Sequence, residues 1–160
     1  MAQLYRDQFV HFINVATKTG EASDPNWVQE GTGIESLSVA FNPSKDSYKD
    51  ITKRTAITTF SNYQLSSRIS GKRLYSEDEM YTYLNELRKT ATAGETQLIE
   101  VDTASAEAGG NYEAVRYDIL ITITEWLGEN ATISYDIDYS NPVQGTVTIA
   151  DGKPTFVEEL

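Results

Sequence analysis

Asp136 and Asp138 are separated by one residue, and this spacing could support chemistry. Residues two apart in a strand project from the same side, so the two carboxylates would point the same way. Paired carboxylates can bind a metal ion or act as general acid and base. No glycine-containing calcium loop surrounds them, and alternating acids on an exposed strand commonly have no such role. We therefore expect neither a metal site nor a catalytic pair here.

His11 is the one histidine of the chain, and cysteine is absent. Thiolate nucleophiles and zinc sites are thereby excluded, and a Ser-His-Asp triad would have to use His11. Phe9, Ile13 and Val15 are in phase with it, which favours a core or interface histidine over a general base. The GTG at 31 to 33 does not continue into a phosphate-binding loop. We predict a protein that is not an enzyme and needs no cofactor.

The composition is that of one strand-rich domain, which we expect to span residues 1–160. A hydrophobic fraction of 39% is enough for a core, and ten tyrosines favour strands. No apolar run approaches the roughly 18 residues of a membrane helix or forms a signal peptide, so we expect a soluble protein made in the cytoplasm. The net charge of −11 argues against a broad grip on nucleic acid, because phosphate contacts need cations.

Alternation of apolar and polar residues predicts about eight strands, and the clearest stretches are 8–16, 34–41, 56–70, 117–126 and 131–140. One amphipathic helix is predicted at about 77–89, where Ser76 and Glu79 form an S-x-x-E capping box. Residues 43–55 have no period and predict a long loop. Antiparallel hairpins with one helix favour a mostly β fold, a β-sandwich or barrel-like domain with a flanking α-helix.

The predicted strands share a polar face rich in Ser, Thr, Asn, Gln and acids. Apolar residues such as Ile121, Ile137, Tyr63 and Leu65 are assigned to the opposite faces. The polar set comprises Asn62, Gln64, Ser66, Asp118, Thr122, Thr124, Asp136 and Asp138. Such a composition is typical of an ordinary solvated sheet face. It would also give a hydrated surface that adheres weakly to other molecules.

Positive charge is concentrated between residues 45 and 73. Seven of the 13 cations lie there: Lys45, Lys49, Lys53, Arg54, Arg68, Lys72 and Arg73. Two aspartates oppose them, so the stretch carries 7 − 2 = +5 and the remainder −11 − 5 = −16. A basic loop on an acidic body is self-complementary in a head-to-tail stack. The alternative is a flexible, solvated loop whose charge is incidental.

Three features occur in a characteristic order: the long loop between two strands (43–55), the short helix after them (77–89), and the ending Asn-Pro-Val-x-Gly-Thr-Val (141–147). In this order, and over nearly the whole chain, the sequence resembles the major tail (tail-tube) proteins of long, flexible-tailed phages of Gram-positive bacteria. The resemblance implies a β-sandwich flanked by a helix. It further implies that six copies form a ring whose inner sheets join into one barrel, and that stacked rings form a tube carrying DNA.

The resemblance also implies partners and a location. The protein would assemble in the host cytoplasm and reside in the virion tail as a homo-hexamer, with a tape-measure protein and tail terminator or distal tail proteins as partners. DNA would pass through without specific binding, and no membrane would be involved. The polar set would face the lumen, and the contact loop to a neighbouring subunit or ring would present Lys45, Lys49, Lys53 and Arg54.

Acids elsewhere would receive that loop, and the candidates are Glu95, Glu107, Glu113 and Glu129. Arg68, the discordant cation on the polar side, would pair with an acid such as Asp118 or Asp136. The alternative function is a monomeric β-sandwich module that binds carbohydrate or protein as a virion accessory. Such a module would cluster exposed aromatic residues, whereas Trp27 and Trp126 are isolated in the sequence.

Overall fold

The computed structural model describes residues 3–20, 24–105, 110–128 and 130–160. These residues are mostly β-strand, and their one α-helix is α1 (Glu79–Thr90). The strands are β1 (Phe9–Asn14), β2 (Trp27–Glu30), β3 (Pro43–Tyr48), β4 (Ile57–Tyr63), β5 (Ser66–Arg73), β6 (Gly94–Asp102), β7 (Tyr112–Gly128), β8 (Thr132–Ala150) and β9 (Lys153–Glu158). The predicted fold class is confirmed. Within the described ranges, no helix is long and apolar enough to cross a membrane.

Seven of the described strands form one antiparallel sheet in the order β2-β1-β6-β7-β8-β5, with β9 also paired to β8. Strands β7 and β8 are long, at 17 and 19 residues. The first part of β8 pairs with β5 and its last part with β9, so both short strands lie along the edge of β8 that faces away from β7. The sheet curls into a nearly closed barrel. Strands β3 and β4 form a separate hairpin, which we call the arm (43–63).

The sheet buries apolar side chains on both of its sides. The first core contains α1 together with Ile13 and Leu98, and the second contains Phe12 and Ile99. Successive residues of a strand point to opposite faces, so these neighbouring pairs divide between the two cores. All four side chains are at most 2% exposed. Each contributes about 1.5–3 kcal/mol by leaving water.

Helix α1 packs its apolar stripe on the sheet as predicted. Met80, Tyr83, Leu84 and Leu87 are buried. Asp78 caps the helix instead of Ser76: its carboxylate accepts a hydrogen bond from the Met80 amide at 3.0 Å. The predicted capping box is therefore wrong by two residues, because an aspartate one position before the helix satisfies the same orphan amides.

The predicted strand 34–41 is not a strand. Its backbone pairs with β5 near its two ends. Ala40 pairs with Ser66, and the carbonyl of Gly33, just before the segment, accepts a hydrogen bond from the Arg73 amide at 3.0 Å. Leu37 and Val39 still pack on the first core, as their alternation predicts, whereas Phe41 of the same phase is 50% exposed. Gly33 has a φ of 78° and passes so close to the Arg73 backbone that a side chain would collide with it.

Two further predicted boundaries are wrong. Residues 43–48 of the supposed long loop form β3, and only 49–56 connect β3 to β4. The predicted strand 56–70 is broken at residues 64 and 65, between β4 and β5. All residues of β3 and β4 are exposed, so no buried face imposes an alternating pattern on their sequence.

Candidate functional site

The main sheet presents an open polar surface formed by β5, β7 and β8. Thr122 lies opposite Asp136, which in turn lies opposite Arg68, and the next row contains Leu120, Asp138 and Ser66. Ile121 and Ile137 point to the other side and are buried. We call this surface the polar face (Ser66, Asp118, Thr122, Asp136, Asp138). Five residues of the predicted lumen set therefore share one side of the sheet.

The other three predicted lumen residues lie elsewhere or at an irregularity. Asn62 is in β4 of the arm, and Gln64 follows that strand, its carbonyl accepting a hydrogen bond from Asn42 at 2.9 Å. Thr124 is exposed where the pairing of β7 with β8 shifts register, between Ile123 and Glu125. The break between β4 and β5 separates the arm residues from the sheet, and sequence alternation did not reveal it.

The polar face is acidic and partly cross-linked. Arg68 Nε lies 3.3 Å from Asp136 Oδ1, as expected from the sequence. Asp118 accepts a hydrogen bond from Asn141 at 2.9 Å. Asp118, Asp138 and Glu95 line one open pocket on this side of the sheet. Four carboxylates therefore accompany one guanidinium. Within the described residues, no group of three or more His, Asp or Glu has a geometry that could hold a metal ion.

The arm lies outside both cores. Its two strands are held by pairing and by short side-chain bonds, such as Ser47 to Thr58 at 3.0 Å and Ser61 to Asp46 at 2.8 Å. Tyr63, which the sequence assigned to an apolar face, is 51% exposed, and Ile57 is 37% exposed. An isolated two-stranded hairpin is only marginally stable in water. Most of the arm's stabilising contacts must therefore come from its root or from another molecule.

An aromatic group lies at the root of the arm. The ring centroids of Phe41 and Tyr63 are 5.2 Å apart, and those of Phe60 and Tyr63 are 4.6 Å apart. About half of each side chain is exposed. Trp27 and Trp126, in contrast, pack against the second and first cores. The sequence does not reveal this cluster, because Phe41, Phe60 and Tyr63 come together only through the hairpin.

The seven cations of the basic stretch divide into two groups. The three on β5 each meet a carboxylate: Arg68 meets Asp136, Lys72 meets Asp78 at 2.8 Å, and Arg73 meets Glu35 at 3.3 Å. Lys72 is 1% exposed and also donates to the Thr32 carbonyl.

The four predicted contact residues all belong to the arm. Over the described ranges, none of them forms an ion pair: Lys45, Lys49, Lys53 and Arg54. Of their predicted acidic targets, Glu95 lies beside the polar face and Glu113 is exposed on β7. Glu107 and Glu129 lie outside the described residues. The contacts predicted for the loop stay a prediction.

His11 is a core histidine, as the sequence suggested. It is 3% exposed, and its Nε2 lies 2.9 Å from Glu100 Oε2 while its Nδ1 lies 3.9 Å from Glu30 Oε2. Tyr135 donates a hydrogen bond to Glu30 Oε1 at 2.6 Å. Burial alone would lower the pKa of His11, but the hydrogen bond to Glu100 and the negative charges of Glu30 and Glu100 outweigh it and raise that pKa.

The sequence did not reveal Glu30 as a partner of this histidine, or Tyr135 as a partner of Glu30. Glu30 and Tyr135 are 105 positions apart and meet only because the curled sheet brings β2 over β8. The network lies on the inner side of the sheet, where His11, Glu30 and Tyr135 are buried and Glu100 is partly exposed. Its role is to join β1, β2, β6 and β8, because its four members come from these strands.

The comparisons with known proteins give little. No protein-family model matches the chain, and no curated protein sequence matches it. A chain in the cryo-EM structure of the anti-feeding prophage (AFP) baseplate, 6-fold symmetrised, is similar to this one with a TM-score of 0.47 and 10% identity. The match covers 90% of this chain and 95% of that chain. A likeness at this level supports no statement about function.

Proposed function

We propose that this protein is a structural subunit that assembles with copies of itself into stacked hexameric rings, forming a phage tail tube. The observation that carries the proposal is the arm, which is exposed along both strands and has four cations without a carboxylate partner in the described part of its own subunit. A second copy is an acidic body of the required charge. The chain as a whole carries −11, so each copy offers both halves of such a contact.

The polar face is the surface we assign to the lumen. DNA carries about one negative charge per 1.7 Å of its axis, and ionic screening extends about 8–10 Å. A duplex in a close-fitting tube therefore responds to the sign of the wall. Asp118, Asp136 and Asp138, with one arginine paired to Asp136, repel phosphate, so DNA slides instead of being held. Lysine rows would retain it through counterion release.

The number of six subunits follows from the resemblance to tail-tube proteins. Lumen diameter grows with strand number, so a barrel assembled from several strands of each of six copies is wide enough to be filled with water and to admit a duplex. The same resemblance adds a tape-measure protein and tail terminator or distal tail proteins as partners. In this proposal the protein acts in the virion tail and catalyses no reaction.

The proposal is tested by concentrating the purified protein and following light scattering and negative-stain electron microscopy. Wild-type protein is expected to form rings and tubes. The variant Lys53→Glu with Arg54→Glu is expected to stay unassembled, because like charges then meet at every junction. The matched control is Lys18→Glu with Lys89→Glu, which makes the same charge change at two exposed cations of the body. Assembly of the arm variant with wild-type efficiency would contradict the role of the arm.

The lumen assignment has its own test, Asp136→Lys with Asp138→Lys. Rings are expected to form, because both side chains point away from the cores, and passage of DNA through tubes should be slowed or blocked. Glu77→Lys with Glu125→Lys is the charge-matched control, made at two exposed acids outside the proposed face. An equal loss of DNA passage in both variants would show that net charge, and not the polar face, is responsible.

A second candidate function is a monomeric module that binds carbohydrate or protein. The exposed aromatic group of Phe41, Phe60 and Tyr63 favours it, since exposed rings commonly stack on ligands. Light scattering separates the two functions, because a binding module stays monomeric at every concentration. In that case Phe60→Ser would abolish ligand binding, and the particle would remain a monomer.

A further inference from the structure

The inner face of the main sheet is covered by α1 at one end only. Beyond the helix, β6, β7, β8 and β9 line an open groove of about 580 Å³. We call it the acidic groove (Glu100, Asp102, Glu113, Glu159). Glu100 and Asp102 follow Leu98 at intervals of two along β6, so the groove continues the side of the sheet that forms the first core.

The groove holds negative charge with no cation among its lining residues. Asp102 and Glu113 lie directly opposite each other on β6 and β7. Like charges at opposite positions of a sheet are destabilising, so this row lowers the stability of the free subunit. Glu100 forms an ion pair with His11 and also lies close enough to Arg6 to feel its charge, whereas Asp102, Glu113 and Glu159 form no ion pair within the described residues. A positive group from outside the subunit would relieve the repulsion.

The groove also has an apolar component. Phe9 and Val115 are partly buried on its floor, and Val157 at its rim is 61% exposed. An occupant that combines lysines and arginines with aliphatic or aromatic side chains would match both features. The arm has this composition: next to its four cations it exposes Tyr48 (53%), Ile51 (102%) and Ile57 (37%).

We infer that the acidic groove is the receptor for the arm of a second copy of this chain. The inference rests on the proposed self-assembly and specifies which surface receives the arm. Arm and groove are different patches, so each copy uses both, one toward each neighbour. This is a head-to-tail contact, which builds an open stack instead of a closed dimer. Opposite charges at the two patches set the register of that stack.

Charge exchange tests the inference. The groove variant Glu113→Lys with Glu159→Lys and the arm variant Lys53→Glu with Arg54→Glu are each expected to raise the critical concentration for assembly by about ten-fold or more. Mixing the two variants should restore assembly, because a negative arm then meets a positive groove and a positive arm meets a negative one. One chain carrying all four substitutions should likewise assemble within about three-fold of wild type.

The control Glu77→Lys with Glu125→Lys changes the net charge by the same amount as the groove variant and should assemble like wild type. Circular dichroism melting of each variant at low concentration confirms that the subunit is folded. A groove variant that assembles normally while the arm variant does not would overturn this inference and leave the proposed function standing. Failure of both the mixture and the four-substitution chain would also overturn it. Wild-type protein that stays monomeric at all concentrations would overturn both.

Discussion

The arm and strand β5 belong to one basic stretch of sequence but use their cations in opposite ways. On β5, Lys72 is buried against Asp78, and Arg68 and Arg73 meet carboxylates of the same subunit. On the arm, Lys53 and its neighbours form no ion pair in the described part of the chain. A run of positive charge thus comprises two parts, one that stabilises the subunit and one that is free for a second molecule.

The difference originates in burial. Moving the Lys72 ammonium out of water costs several kcal/mol, which is offset by Asp78 at 2.8 Å and by the Thr32 carbonyl. That pair ties β5 to the start of α1. The arm cations stay hydrated, so they contribute little to folding. This contrast can be tested on the free subunit by changes whose expected effect on its unfolding free energy runs from the largest to the smallest.

Asp78→Ala should have the largest effect. It leaves the buried Lys72 without its carboxylate, which costs about 3–5 kcal/mol, and it removes the cap of α1, worth about 1 kcal/mol. Urea unfolding monitored by circular dichroism measures the change. Glu77→Ala, at the neighbouring exposed position, is the control and should stay within about 0.5 kcal/mol of wild type. A loss below about 1 kcal/mol for Asp78→Ala would show that Lys72 finds another partner.

The second prediction concerns pH and the His11 network, since the exposed arm has no comparable buried titrating group in the structure. The pKa of His11 is raised from 6.5, so its stabilisation is complete below pH 6.5 and is lost as the pH rises through the folded-state value. The pKa of Glu100 is lowered from 4.5, chiefly by its hydrogen bond to His11. The stabilisation from Glu100 is present above pH 4.5 and is lost as the pH falls through its folded-state value.

Unfolding free energy should therefore be highest between about pH 4.5 and 6.5 and should decline above that window. Urea titrations across this range measure the decline. In His11→Gln the fall on the alkaline side should disappear. If the variant keeps the wild-type profile, other groups govern the pH dependence. Proton NMR of the single histidine measures its pKa directly.

Arg73→Ala should have a small effect. The pair with Glu35 is exposed, at 62% and 83%, and exposed ion pairs are worth about 0–1 kcal/mol. Added salt should reduce the difference from wild type further, because surface pairs are screened. A cost approaching that of Asp78→Ala would mean that exposure does not distinguish Arg73 from Lys72.

The smallest effect on stability is expected for Lys53→Glu with Arg54→Glu. The change should stay within about 0.5 kcal/mol, as for most surface substitutions. Thermal melting of the monomeric variant is the measurement. A drop above about 1 kcal/mol would identify the arm as an intramolecular brace and would erase the contrast with β5.

Local patterns predicted a good part of the fold. The stripe of Met80, Tyr83, Leu84 and Leu87 predicted α1, and strict alternation predicted that Ile121 and Ile137 are buried. The same alternation brought Asp118, Thr122, Asp136 and Asp138 to one side of the sheet. These predictions hold because a helix stripe or a strand face depends only on residues a few positions apart.

What the sequence determined by itself is therefore the apolar stripe of α1, the phase of β7 and of the first part of β8, the mostly β class and the concentration of cations between residues 45 and 73. The tertiary structure decided how those cations divide, because the break between β4 and β5 has no local signal in an exposed hairpin. It alone placed Tyr135 beside Glu30 and Glu100 beside His11, on strands distant in the chain. Such meetings depend on register and on the curl of the sheet, which are set by packing across the whole domain.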